Sequence, residues 1–320
     1  MVHIPFFAMA FEAPLKTEEI PIRDPFIYAD QENEIYYLYA QSGNRRDSGF
    51  LGVEAYASKD LLHWSQPQPV LKLPEKAGVK WVWAPEMHAH LGQYYLFVTL
   101  TLHEELPVDK PVQSNRWPPM FIRGTHVYHA ASPTGPFRPF RESSHTPPDW
   151  MALDGTLYVE DEVPYMVFCH EWVQTVDGTM DFVRLKGDLS APVRRPQLLF
   201  KASDAPGVAF SPDRGNVTDG CFLYRSPKSE RLFMIWSTFI PGKGYSVLLT
   251  HSESGEIRGP WVDQRTIYTD NGGHGMIFET FEGDLLLSLH QPNSGGRERL
   301  HLFEVTDDGE TLSVGKEYSP

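Results

Sequence analysis

The feature that most constrains the fold is a hairpin pattern that recurs five times along the chain. In each copy a polar or acidic residue precedes a short apolar strand, and a turn then leads into a second strand rich in aromatic residues. The copies lie at residues 23–40, 84–99, 153–169, 218–237 and 274–290. Repetition at a nearly constant period indicates a stack or ring of similar units.

The spacing of the copies indicates how many strands each unit holds. Aligned on their first polar residues, the hairpins are 55 to 68 residues apart, which leaves room for two further short strands. A unit of about four strands is typical of a propeller blade. No long amphipathic helical period interrupts the pattern. The sequence therefore predicts an all-β fold, with residues 1–320 forming a single five-bladed β-propeller domain.

The composition agrees with a fold of many short strands and limits the classes of molecule that the protein can bind. Aromatic residues make up 13% of the chain, which also has 27 prolines and 25 glycines. These residues favour strands and turns over helix bundles. The formal net charge of −14 disfavours nucleic acid and anionic membranes as partners, whereas a neutral carbohydrate is compatible with it.

The cellular compartment is inferred from three features that the sequence does not show: a disulfide framework, a membrane span and a signal peptide. The only cysteines are Cys169 and Cys221, which is too few for a disulfide framework. No apolar stretch is long enough for a membrane span, and the first residues lack the basic region and cleavage site of a signal peptide. We expect a cytoplasmic protein, or a secreted one if a signal peptide has been removed.

The aligned hairpins place acidic residues in one equivalent position. Their first polar residues are Asp24, Glu86, Asp154, Asp219 and His274. Because first strands line the channel of a propeller, we expect these residues to surround one of its mouths. Clustered carboxyl groups are costly unless their pKa values separate or a cation binds. A protonated and an ionised carboxyl group are what glycosidic bond hydrolysis requires.

Five motifs carry a resemblance to a known family. They are RDPFI (23–27), WAPEM (83–87), LDGTLY (153–158), TDGCFLY (218–224) and GGHGMIF (272–278). Together they resemble glycoside hydrolase family 43 over nearly the whole chain. The resemblance implies a five-bladed propeller and inverting hydrolysis of arabinofuranosyl, xylosyl or galactosyl linkages in plant-type glycans. It also implies that Asp24 is the general base and that Asp154 tunes the pKa of the acid.

The general acid has two candidates. The family usually has Glu-Gly-Pro where this chain has Asp219-Gly220-Cys221, and aspartate is one methylene shorter than glutamate. Glu171, in CHEWVQ, follows a second strand that runs back toward the same mouth, and its side chain reaches further. An alternative for Glu171 is a loop carboxylate paired with an arginine such as Arg184.

Two further roles come from the resemblance. It implies that Glu86 contacts substrate or braces the ring. It also implies that His274 lies on the axis and binds a water molecule or a metal ion, such as Ca²⁺ or Na⁺, beneath the substrate. No other cofactor is expected.

Side chains near the motifs are candidates for sugar binding. Trp83 precedes the second hairpin and Trp172 follows Glu171, and we expect both indoles to line the pocket. Trp117 and Trp150 lie in loops. Arg23 is expected to contact the substrate because it adjoins Asp24.

Two alternative functions use the same fold. A sugar phosphorylase would need a cluster of Arg or Lys at the mouth to hold phosphate, and few basic residues other than Arg23 lie near the motifs. A non-catalytic carbohydrate-binding propeller is the other alternative, because Asp219 is shorter than the glutamate that the family usually has there. The proline-rich segment 104–123 is a long loop of the kind that shapes binding sites.

Overall fold

The computed structural model describes residues 14–319, except 46, 209 and 211–214, and in this part of the chain the strands form five antiparallel sheets. Each sheet comes from one continuous stretch of sequence, so blades 1 to 5 follow chain order. The prediction of a five-bladed β-propeller is confirmed.

The strands are as follows, from the axis outward. The first strands, which contact one another around the axis, are Phe26–Asp30, Val79–His90, Ala152–Glu160, Asp219–Arg225 and Gly273–Glu279. The second strands are Ile35–Gln41, Gln93–Glu105, Val163–His170, Leu232–Ile240 and Leu285–Gln291. The third strands are Gly52–Ser58, Phe121–Ala130, Thr179–Arg184, Gly244–Ser252 and Arg299–Asp307. The fourth strands are Gln68–Lys72, Arg138–Pro139, Gln197–Lys201, Trp261–Tyr268 and Leu312–Glu317.

Blade 1 differs from the expected four strands. Leu15–Lys16 and His63–Trp64 pair with each other at its outer edge and make it six-stranded. The helical turns of the described residues are Trp172–Thr175 (α) and Thr17–Glu19, Ser42–Asn44, Glu75–Ala77 and Ala202–Asp204 (3₁₀). None of the helices in this part of the chain is long and apolar enough to cross a membrane.

Burial explains why several strands are apolar along their whole length. Every residue of Ile35–Gln41 is buried, as are eight of the nine in Leu232–Ile240. Neighbouring blades cover both faces of such strands, so polar residues are not needed at alternate positions. The ring closes between blades 1 and 5, where Tyr36 stacks on Phe281 with ring centroids 4.0 Å apart and its hydroxyl accepts the Phe281 N–H at 2.9 Å.

Candidate active site

A repeated bulge in the first strands sets the positions of the site residues. In blades 2 to 5, pairing with the second strand skips two residues, after Trp83, Leu153, Asp219 and Gly273. The first skipped residue has a positive φ each time, as does the corresponding residue of blade 1. These residues are Asp24 (53°), Ala84 (42°), Asp154 (55°), Gly220 (51°) and His274 (50°). Bulges and left-handed residues are frequent next to active sites.

This equivalence corrects the expected register. Ala84, not Glu86, occupies the second-blade position, and Gly220, not Asp219, occupies the fourth. The alignment of the five hairpins matched acidic residues with one another and could not take into account where the bulge lies in each strand. As a result it was two residues out in blade 2 and one residue out in blade 4.

The bulges surround a pocket of about 350 Å³. It is lined by Arg23, Asp24, Gln41, Trp83, Leu153, Asp154, Glu171, Trp172, Asp219 and His274. The pocket thus brings together every residue of the expected site except Glu86. The Glu86 carboxylate is buried against His88, whose Nε2 is 3.0 Å from Oε2, and does not belong to the described lining. Glu86 is thus held by His88 outside the described lining, and its expected role in contacting substrate or bracing the ring stays a prediction.

His274 is the meeting point of three carboxyl groups. Its Nδ1 is 3.2 Å from an oxygen of Asp24, 3.8 Å from one of Asp154 and 3.9 Å from one of Asp219. The His274 backbone N–H donates to Ser237 Oγ at 2.8 Å, which fixes the ring at its bulge. An imidazole so placed can donate its proton to only one carboxylate at a time, and Asp24 is the nearest.

Asp24 has a second imidazole beside it that sequence reasoning missed. His290 Nδ1 accepts the Asp24 backbone N–H at 3.1 Å. Burial lowers the pKa of His290 to about 4, so this ring is neutral at ordinary pH. Burial alone would raise the pKa of Asp24, but the neighbouring His274 and Arg23 outweigh burial and lower it below its usual value. Asp24 is therefore an ionised carboxylate.

The pKa of Asp154 is shifted in the opposite direction from that of Asp24. Burial first, and then the adjacent Asp219 carboxylate, raise the pKa of Asp154 well above its usual value. The Asp219 side chain lies within hydrogen-bonding reach, which also favours the protonated form of Asp154. Asp219 Oδ2 accepts the Tyr245 hydroxyl at 2.6 Å. Tyr245 is a second residue that sequence reasoning missed.

Glu171 is held by an arginine from blade 2. Its Oε2 accepts a hydrogen bond from Arg123, and both side chains are buried. The expected alternative partner, Arg184, is an exposed residue at the end of its strand and does not form this pair. Burial raises the pKa of Glu171, and Arg123 opposes this shift without cancelling it.

Arg123 was not singled out because it lies 48 residues from Glu171 in sequence. Its Nε donates to Thr101 Oγ1 at 2.8 Å, and its guanidinium lies 4.2 Å from the centroid of the Trp83 ring. The one signal in the sequence is a cationic residue that directly follows the apolar Phe121 and Ile122 at the start of the strand Phe121–Ala130.

The tryptophans divide into two groups. Trp83 and Trp172 line the pocket, and Trp83 also stacks on Trp81 with ring centroids 5.4 Å apart. Trp150 stacks on His170 and is not part of the described lining. Trp117, from the proline-rich segment, donates its Nε1–H to the Val173 carbonyl at 2.8 Å. That contact anchors the long loop against the turn that follows Glu171.

Arg23 is held at the pocket by blade 5. Its guanidinium bonds Glu298 Oε1 at 3.0 Å, and its side chain remains 36% exposed. It is therefore both fixed and accessible to a ligand.

Fold and site together define a class of enzyme, a propeller hydrolase in which carboxyl groups with oppositely shifted pKa values face one pocket. The chain belongs to glycosyl hydrolases family 43, whose model matches residues 18–310. It is a glycosidase that hydrolyses O-glycosyl bonds.

Solved structures agree with this assignment. An endo-arabinase from Bacteroides thetaiotaomicron VPI-5482 is 34% identical, with a TM-score of 0.79 over 92% of this chain and 98% of that one. A thermostable family-43 glycoside hydrolase has 19% identity and a TM-score of 0.73, covering 94% and 95% of the two chains. An α-L-arabinofuranosidase from Lactobacillus brevis has 16% identity and a TM-score of 0.71, covering 92% and 93%. The last two support the fold alone. No curated protein sequence matches the chain significantly.

Gly220→Ala tests the packing of the bulges against His274. A Cβ at Gly220 would lie 2.7 Å from His274 Cγ and 2.8 Å from its Cα. We expect the free energy of unfolding to fall by about 1–3 kcal/mol, as overpacking does elsewhere, and turnover to fall with it. Denaturant unfolding and steady-state kinetics measure the two effects. Gly187→Ala, where a Cβ meets nothing within 4 Å, is the control. A Gly220→Ala protein with normal stability and turnover would contradict the close packing.

Proposed function

We propose that this protein hydrolyses arabinofuranosyl linkages, or the related xylosyl or galactosyl linkages, of plant-type glycans by single displacement with inversion. The observation that carries the proposal is the opposed pKa shifts in one pocket, lowered at Asp24 and raised at Asp154 and Glu171. The 34% identity to an endo-arabinase favours the arabinofuranosyl case.

Asp24 is proposed as the general base. Its carboxylate is ionised, lines the pocket and is held by His274 on one side and by its own backbone bond to His290 on the other. A base so placed can take a proton from a water molecule on one face of the sugar. Inversion needs space for that water, with base and acid carboxyl groups roughly 6.5–9.5 Å apart.

Glu171 is proposed as the general acid in preference to Asp219. Asp219 Oδ2 is bonded to Tyr245, and its Oδ1 lies 3.9 Å from His274 Nδ1, within the carboxyl cluster that includes Asp154. Glu171 uses Oε2 for Arg123, which leaves Oε1 for the leaving-group oxygen. Its raised pKa favours the protonated form that an acid needs, and glutamate also has the longer reach.

Asp154 and Asp219 are proposed to act as a pair. A proton held between them removes one negative charge from beside Asp24 and Glu171. The Gly220 N–H, which donates to Asp154 Oδ2 at 3.1 Å, fixes that carboxyl group. The pair therefore maintains the pKa difference between base and acid.

The phosphorylase alternative is disfavoured by how the arginines are used. Arg23 is bonded to Glu298 and Arg123 to Glu171, and both of these carboxylates are buried. Phosphate would need to displace one of them, at the cost of leaving a buried charge unpaired.

The donor set also fits a hard cation. Asp154, Asp219 and His274 offer ligand atoms that lie within 4.8 Å of one another, and carboxylate oxygens suit Ca²⁺. We propose that these residues, with His274 on the axis, would hold such an ion together with water molecules. When bound, the ion would supply positive charge that offsets the repulsion between the carboxyl groups.

Asp24→Asn tests the base and, with it, the function. The wild type should hydrolyse at least one of the aryl α-L-arabinofuranoside, β-D-xyloside and β-D-galactoside. The variant should lose at least 10²–10⁴-fold in kcat on activated and unactivated substrates alike, because both need the attacking water. Calorimetric binding of the product sugar should persist. A variant with near-normal turnover would exclude Asp24 as the base.

Glu171→Gln and Asp219→Asn distinguish the two acids. Loss of the true acid hurts poor leaving groups far more than activated ones, which depart without a proton. We expect Glu171→Gln to lose roughly 10²–10⁴-fold in kcat/KM on an unactivated oligosaccharide and little on a dinitrophenyl glycoside. It should also abolish the fall in activity as pH rises through the pKa of the acid. Equal losses on both substrates would contradict the role of Glu171, and a selective loss in Asp219→Asn would assign the acid to Asp219.

Calcium titration tests the axial site independently of turnover. After treatment with a chelator, added Ca²⁺ should raise the melting temperature of the wild type, since a ligand at 100 times its Kd stabilises by about 2.7 kcal/mol. His274→Ala should abolish the increase. Identical melting curves of the wild type with and without Ca²⁺ would argue against the ion.

A further inference from the structure

Gln41 borders the pocket, and neither the motifs nor the mechanism assigns it a task. It is the last residue of the second strand of blade 1 and lines the same cavity as Asp24 and Trp83. Only 7% of its surface is exposed. An amide so deeply buried normally has all its hydrogen bonds made within the protein.

The amide of Gln41 is instead half satisfied. Its Nε2 donates to Asn44 Oδ1 at 3.1 Å, but its Oε1 is buried without a hydrogen-bond partner. Asn44 Nδ2 is likewise buried without a partner. A buried polar group without a hydrogen bond destabilises a folded protein. The unpaired oxygen of Gln41 is therefore explained most simply by a partner that is present only when a ligand is bound.

The backbone around this amide is rigid. Gln41 pairs with Val53 in the sheet, and the following turn is fixed by Ser42, whose Oγ donates to the Phe50 carbonyl at 2.9 Å and accepts the Gly52 N–H at 3.0 Å. The terminal torsion of a glutamine side chain is soft, so Oε1 can turn into the cavity, but Nε2 turns with it and gives up its bond to Asn44 Oδ1. A hydrogen bond from the ligand must compensate for that loss. A fixed backbone with an adjustable acceptor is suited to recognising a ligand hydroxyl.

We propose that Gln41 Oε1 accepts a hydrogen bond from one hydroxyl of the sugar unit bound in the pocket and makes Gln41 a specificity-determining residue. This inference rests on the proposed function. A sugar that lacks that hydroxyl, or presents it elsewhere, leaves the buried oxygen unpaired and is rejected more strongly than by loss of contact alone. Because an amide does not titrate, this selection is the same at every working pH.

Gln41→Met tests the contact, since methionine has a similar length and no hydrogen-bonding amide. We expect kcat/KM on the preferred aryl glycoside to fall at least about tenfold. The melting temperature should change little, because removal of the unpaired oxygen is offset by loss of the Nε2 bond to Asn44 Oδ1. Gln41→Asn, which stays polar but is shorter by one methylene, should give a similar loss of activity.

The matched control is Gln264→Met. Gln264 lies in the fourth strand of blade 4, also has a buried Oε1 without a partner, and is not part of the described pocket lining. Its replacement should leave kcat/KM within about twofold.

A deoxy-sugar series identifies the hydroxyl. For one monodeoxy aryl glycoside, the wild type should discriminate against the missing hydroxyl, and Gln41→Met should lose that discrimination. If Gln41→Met keeps normal kcat/KM, or keeps every deoxy discrimination of the wild type, the proposal is overturned. Failure of the wild type on all glycosides counts against the proposed function instead. In that case calorimetry with arabino-, xylo- and galacto-oligosaccharides tests the role of Gln41 without turnover. Gln41→Met should still weaken binding of the sugar that the wild type binds by at least about tenfold, and unchanged binding would overturn the proposal.

Discussion

The structure depends on the contact between one imidazole and three carboxyl groups, of which Asp24 and Asp154 are buried and Asp219 is partly exposed. His274 draws Asp24, Asp154 and Asp219 within 4 Å of its Nδ1, a cluster that would be costly if all three were ionised. The protein separates them by environment. His274 and Arg23 lower the pKa of Asp24, whereas burial and the neighbouring Asp219 raise the pKa of Asp154. The chemistry of the pocket therefore follows from how charge is shared around the axis.

The propeller makes that cluster possible because blades 1, 3 and 5 contribute Asp24, Asp154 and His274 from equivalent positions, and blade 4 contributes Asp219 from the residue before its bulge. A bulge with a positive φ recurs at the pocket end of the first strands, and the five chain segments that meet there are far apart in sequence. Residues outside the bulges hold the other carboxyl groups of the pocket in place. Tyr245 bonds Asp219, Arg123 pairs with Glu171, and the loop anchored by Trp117 packs against the turn after Glu171.

Much of this could be predicted from sequence, and the exceptions have physical causes. The hairpins identified the blades because strand alternation and turns are local, and Asp24, Asp154 and His274 were correctly aligned because their bulges have the same spacing. Glu86 was misplaced because a bulge shifts register without changing residue type. His290 and Arg123 went unnoticed because their partners are distant: 266 residues separate Asp24 from His290. Pairing across blades leaves no local pattern.

The central claim is that Asp24 activates water and does not itself attack the sugar. The direct measurement is proton NMR of the first anomer released from an aryl α-L-arabinofuranoside, or from whichever aryl glycoside the wild type cleaves, recorded before mutarotation. The account predicts the inverted anomer, β from an α-linked substrate, because a single displacement by water reverses the configuration. A retained anomer as the first product would reveal a covalent glycosyl-enzyme intermediate and would contradict the account.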